Sequence, residues 1–272
     1  MVEPLVQAIA SFVEDTSKGN VYIAVLLLSG YAALMTSLGG LMIVLSKFFS
    51  GRVTFDKFLD LGMGFSSGVM IVASFTSLLL PAIELSGIVL VIVSFLVGAV
   101  TIHVLNRLIP HEHIIKGYEG PETLKRKIKA AWLVATAIIL HNLPEGMSIG
   151  ASASYSLSEG IAVALAIGTQ DFPEGLAVSM PVYAVTGGLM VAIGIAVLSG
   201  LSEVLAAITV ALFLGFNPNL LGAALAFAAG AMVYVVSYEA LPESHRSGHE
   251  DLATIGFFAG FIIMMYLDVT LG

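Results

Sequence analysis

Between Lys129 and Arg246 the chain contains no lysine or arginine, yet Glu145, Asp171, Glu174 and Glu203 all fall inside long apolar runs of that region. An unpaired carboxylate in an apolar medium costs several kcal/mol. With no base of this region to neutralise them, the four acids must bind cations taken from outside the chain, or protons. Two divalent ions balance four carboxylates; protons are the competing answer, and exchange between the two is expected.

The medium itself is read from the rest of the chain. Of 272 residues 58% are hydrophobic and 11% charged, with mean hydropathy +0.99. A soluble protein carries about 25% charged residues. Eight apolar runs, approximately 21–47, 58–80, 87–108, 129–152, 160–182, 188–214, 219–241 and 251–269, are each long enough to cross about 30 Å of hydrocarbon. The expected fold is an all-α integral membrane protein of eight transmembrane helices, a single domain over 1–272. Ten of the eleven basic residues flank the first, third and seventh connections, and only Lys18 lies on the other side. That bias places the loop 109–127 in the cytoplasm and both termini outside. The first 20 residues carry Glu3, Glu14, Asp15 and Lys18 and lack the pattern of a cleaved signal peptide. A net charge of −8 and the absence of a Gly-rich phosphate loop exclude nucleic-acid and nucleotide binding. There is no cysteine, so disulfides and thiolate metal sites are excluded too.

Two matching segments concentrate the chemistry. His141-Asn142-Leu143-Pro144-Glu145-Gly146 and Gln170-Asp171-Phe172-Pro173-Glu174-Gly175 begin 29 residues apart, each near the middle of an apolar run. On a helix, residues four apart share a face, so His141 pairs with Glu145 and Gln170 with Glu174. Asn142 and Asp171 stand three residues before the same glutamates, on a face turned by about 100° per residue. Neighbouring helices would hold one metal among His141, Glu145, Gln170 and Glu174. A second would lie among Asn142, Asp171 and the same two glutamates, which act as bridging carboxylates. Pro144 and Pro173 each remove a backbone hydrogen bond and free the carbonyls of Leu140 and Thr169. Broken helices at mid-membrane are a known way to build ion sites. The plainer reading, kinks with polar glue between helices, accounts poorly for two copies in register.

Other features sort by depth. Glu84 and Asp268, near the outer ends of the second and eighth spans, form a candidate acidic entrance that would concentrate cations. His111, His113, Glu239, His245 and His249 lie toward the inner side as candidate exit residues, although such loop residues are commonly just solvated. His103 reads as a satisfied polar residue in an apolar span. Gly68-Val69-Met70…Leu80-Pro81 in the second span echoes Gly230-Ala231-Met232…Leu241-Pro242 in the seventh. These spans run in opposite directions by the topology above, as in an inverted-repeat transporter.

The segments HNLPEGMSIG, QDFPEGLAVSMP, SEVLAA and YEALPESHRSGH make the sequence similar to the ZIP (Zrt-/Irt-like protein) family of divalent-metal transporters, in its GufA-like bacterial branch. The resemblance covers all eight spans. It implies uptake of metal toward the cytoplasm across the inner (cytoplasmic) cell membrane, with Zn2+ the expected substrate and Cd2+, Fe2+, Mn2+ or Co2+ alternatives. It implies a binuclear site: His141, Glu145, Gln170 and Glu174 for one metal, with Met70 adding a thioether, and Asn142, Asp171, Glu145, Glu174 and Glu203 for the other. It further implies a homodimer, and an elevator motion of the first, fourth, fifth and sixth spans against the rest. Two positions depart from the pattern. Gln170 stands where many relatives have histidine, and Tyr238 stands where histidine also occurs. The rival readings are an intramembrane metal-dependent hydrolase, against which the lack of HExxH counts, and a metal sensor that binds without translocating.

Overall fold

The computed structural model describes residues 2–47, 52–109, 111–113, 117–119, 130–245 and 248–271. Helices account for nearly all of it. In order they are α1 (Val2–Ser17), α2 (Val21–Leu41), α3 (Arg52–Ala73), α4 (Leu80–Ser86), α5 (Ile88–Leu108), α6 (Ala130–Tyr155), α7 (Leu157–Thr186), α8 (Leu189–Phe216), α9 (Leu221–Val235), α10 (Leu241–Ser244) and α11 (Glu250–Leu271).

Local sequence explains where they begin and end. Asn20 caps α2, its side-chain oxygen accepting from the backbone N–H of Tyr22 at 2.9 Å. Ser156 caps α7 by accepting from the N–H of Glu159, the third helical residue, at 3.1 Å. Gly187 closes α7 in the left-handed conformation that glycine adopts without penalty (φ 64°).

Among the described residues six stretches are long and apolar enough to cross a membrane: Val21–Val44, Lys57–Ser86, Ile88–Leu108, Leu189–Phe216, Pro218–Ser244 and Glu250–Thr270. The other two expected spans, α6 and α7, have 26 and 30 residues and so measure about 39 and 45 Å at 1.5 Å per residue. They have the length; their polar groups lower their hydropathy. α5 exposes Val89, Leu90, Ile92, Val93, Leu96, Val97 and Val100. So continuous an apolar surface is stable against lipid and not against water.

α2, α6, α7 and α8 pack on one another, α3 runs along α11, and α5 along α9. Two of these spans carry the same internal break. A widened π-helical turn, Ser74–Leu79, joins α3 to α4, and another, Val236–Ala240, joins α9 to α10. In each, the N–H ahead of a proline reaches five residues back, Leu80 to Phe75 and Leu241 to Val236. The rings of Pro81 and Pro242 would strike the carbonyl four residues earlier, and an inserted residue in the turn moves that carbonyl aside.

Two features differ from the sequence expectation. α1 is a helix where no element was expected; Val13 is buried in it, and it lies against α2 and α7. The all-α description also admits one exception. Within the loop 109–127, His111–His113 and Gly117–Glu119 pair as antiparallel strands, β1 and β2, with Glu112 opposite Tyr118.

Candidate metal site

The two proline-containing segments lie where α6 and α7 meet, and two close approaches set the distances. A side chain at Gly146 would run into the backbone carbonyl of Glu203, so its absence lets α6 press on α8 and delivers Glu203 to Glu145. A side chain at Gly175 would likewise meet the carbonyl of Thr36, which brings α2 against α7.

The result is a buried cluster. Glu145, Gln170, Asp171 and Glu203 are fully buried, and Asn142 and Glu174 nearly so. Ligand atoms of His141, Glu145 and Glu174 lie within 4.8 Å of one another, as do those of Glu145, Asp171 and Glu203. Glu145 belongs to both groups. The spacing argument has both glutamates serve both positions, whereas in the structure Glu174 joins only the His141 group. Its Oε1 accepts a hydrogen bond from the Ser66 hydroxyl of α3. Met70, one helical turn along α3, is fully buried, with its sulfur 3.8 Å from the same hydroxyl.

Neutral donors hold the carboxylates. The Gln170 amide donates to Glu145 Oε1, the Asn142 amide to Glu203 Oε1 at 2.6 Å, and the Thr36 hydroxyl to the same oxygen at 3.0 Å. Such donors orient a carboxylate without cancelling its charge. Each amide spends its nitrogen this way and keeps its carbonyl oxygen for another partner. What remains is a set of buried acceptors with no hydrogen-bond partner among the described residues: Glu145 Oε2, both oxygens of Asp171, Glu203 Oε2, Gln170 Oε1 and His141 Nε2. Buried lone pairs are otherwise nearly always satisfied. Five oxygens and one imidazole nitrogen, without thiolate, form a donor set suited to first-row divalent ions.

Outside the cluster, His141 Nδ1 faces Glu239 Oε2 at 3.4 Å, and Glu239 Oε1 accepts from the Asn106 amide at 2.5 Å. A carboxylate behind the far ring nitrogen is how metal-binding histidines are aimed. Both π turns thus carry a side chain hydrogen-bonded to another helix: Glu239 on the second, and on the first Ser77, whose hydroxyl donates to Asp268 at 2.6 Å. Glu159, at the start of α7, is near enough to Asp268 for the two acids to repel. Glu84 is exposed on α4.

Two of the histidines expected on the inner side have local partners. His245 contacts Ser244 at 2.8 Å and the Leu241 carbonyl at 3.1 Å, and His249 pairs with the buried Asp60 at 2.9 Å. His103 meets the Tyr234 hydroxyl at 3.0 Å, the satisfied role expected of it. His111 and His113 lie on β1; their side chains are outside the described residues. Sequence reading missed Thr36, Ser66, Asn106 and Glu159. The available signal was faint: Ser66 lies four residues before Met70, and Thr36 and Asn106 are single polar positions in apolar helices.

Long apolar helices wrapped round buried carboxylates, amides and an imidazole define a polytopic membrane protein with an interior laid out for ions. Comparison with known proteins gives the family. The profile of the ZIP zinc transporters matches residues 110–268, and the chain belongs to that family, one of transporters and not of enzymes. It is 39% identical to the zinc transporter ZIPB of Bordetella bronchiseptica, over 94% of this chain and 84% of that one. It is 38% identical to the zinc transporter GufA of Myxococcus xanthus, over 72% and 80% of the two chains. To the zinc transporter ZupT of Corynebacterium glutamicum it is 35% identical, over 86% and 94%.

Proposed function

We propose that this protein carries zinc, and with the same ligands other divalent cations such as Cd2+ or Fe2+, into the cytoplasm through a binuclear site at mid-membrane. The observation that carries this reading is the pair of ligand groups sharing Glu145, buried in a region without lysine or arginine. Two dications would satisfy the lone pairs that nothing else satisfies. His141, Glu145, Gln170, Glu174 and Met70 hold one ion; Asn142, Glu145, Asp171 and Glu203 hold the other.

The chain crosses the inner membrane eight times with both termini outside, α6 and α7 completing the six apolar spans. The matching π turns support an inverted repeat of the second and seventh spans, one turn facing the entrance beside Asp268 and the other the exit beside Glu239. Glu84 and Asp268 gather cations outside, and Glu239, His245, His249 and the β1 histidines receive them inside. An elevator motion is supported by the kinds of contact made. Within the ligand-bearing bundle and within the α3–α11 pair, backbone meets backbone, at Gly150 against Ala207 and at Gly260 against Phe65. Across the boundary the contacts run through side chains: the Pro173 ring against Gly62, Ser66 on Glu174, Glu239 on His141. The working unit is a homodimer, as the resemblance implies.

The test is zinc flux into sealed proteoliposomes. Wild-type protein shows saturable uptake and Glu174→Ala abolishes it; unchanged uptake in that variant removes the proposed role. Zinc that binds without crossing the vesicle wall would make the protein a sensor instead.

A further inference from the structure

We propose that Ser66 is a positioning residue that makes the two cation positions unequal by deciding how Glu174 is shared. The inference rests on the transport reading above and gives a metal-tuning role to a side chain that the reading uses only as a contact between the two bundles. Ser66 is fully buried on α3, one turn before Met70, and its hydroxyl reaches Glu174 Oε1 on α7. The hydroxyl has one proton and two acceptors in range. Thioether sulfur is a weak acceptor and a carboxylate a strong one, so the proton goes to Glu174.

Two consequences follow. First, one oxygen of Glu174 is held toward α3. That fits its place in the group with His141 and Glu145, while the other group unites Glu145, Asp171 and Glu203, so that Glu145 is the carboxylate common to both. Second, a donor on a carboxylate withdraws charge from it and makes it a weaker ligand. The His141-side ion is therefore bound loosely enough to leave. The bond also joins α3 to the ligand-bearing bundle, so the two bodies meet at a ligand.

The experiment is zinc titration by calorimetry of purified, detergent-solubilised protein, alongside zinc uptake in vesicles. Ser66→Ala is expected to bind zinc roughly tenfold more tightly, from loss of one hydrogen bond to a charged group. Its uptake shows a lower KM together with a lower maximal rate, because release slows. Ser66→Thr keeps the hydroxyl and restores both. In a Glu174→Gln background, Ser66→Ala adds no further change in affinity, and this arm decides the matter if the threonine variant folds poorly. Unchanged or weaker zinc binding in Ser66→Ala overturns the proposal, as does an equal shift with and without Glu174. A wild-type protein that binds zinc but moves none overturns the transport reading and leaves Ser66 to be judged on binding alone.

Discussion

His141 offers its Nε2 to the cluster only because something fixes its ring, and that support comes from Glu239 and Asn106. Glu239→Gln keeps the size but removes the charge that favours an Nδ1 proton. Outer partners of this kind are worth roughly 10–100-fold in metal affinity, so zinc binding in that variant should weaken by that factor; an unaltered titration would return Glu239 to a pure exit role. Asn142 acts differently, its amide restraining Glu203 at 2.6 Å. Asn142→Asp puts a like charge against Glu203 and replaces a donor with an acceptor. Zinc-free Asn142→Asp should therefore have a lower melting temperature than wild type, with the difference shrinking when zinc is added, as differential scanning fluorimetry would show. That His141 and Glu145 share a face, and Gln170 and Glu174 another, was legible in the sequence because four-residue spacing is a geometric constraint within one helix. That Glu145 alone belongs to both residue groups was not legible, since it depends on how α3, α6, α7 and α8 meet.

Helices make their contacts here through small residues rather than interlocking large ones, and the cost of substitution should follow. Gly260 approaches Phe65 backbone to backbone, whereas Gly30 has nothing within 4 Å of where a Cβ would stand. Gly260→Leu should separate α3 from α11 and lower the melting temperature in detergent, while Gly30→Ala leaves it within error. Equal behaviour of the two would show that the close approach contributes nothing. Six of the eight expected spans were readable from apolar length. The π turns were not: Pro81 and Pro242 announce an irregularity, but whether a helix kinks or widens is settled by neighbours such as Asp268, which bonds Ser77 within the turn. α1 escaped notice because its 16 residues mix acids with a short apolar stripe ending at Val13. The β1–β2 hairpin escaped because three-residue strands leave almost no period to detect.

At the scale of the whole molecule the deciding quantity is charge. The interior acids have no basic partner between Lys129 and Arg246, so protons and dications compete for the same oxygens. Ligation requires the deprotonated carboxylates and neutral His141. Protons win as the pH falls, so the zinc KM should rise steadily on acidification of the outer solution in a vesicle uptake series. A KM independent of pH would mean that the carboxylates do not touch the cargo. Helix α1 has a practical consequence. It lies against α2 and α7, the second of which carries Gln170, Asp171 and Glu174, and it leaves Phe12 61% exposed. The chain has no cysteine, so Phe12→Cys creates a single attachment point for a fluorophore. Under the proposed elevator motion a dye placed there moves with α2 and α7, and its distance to a bilayer-surface quencher reads that displacement without altering a proposed ligand.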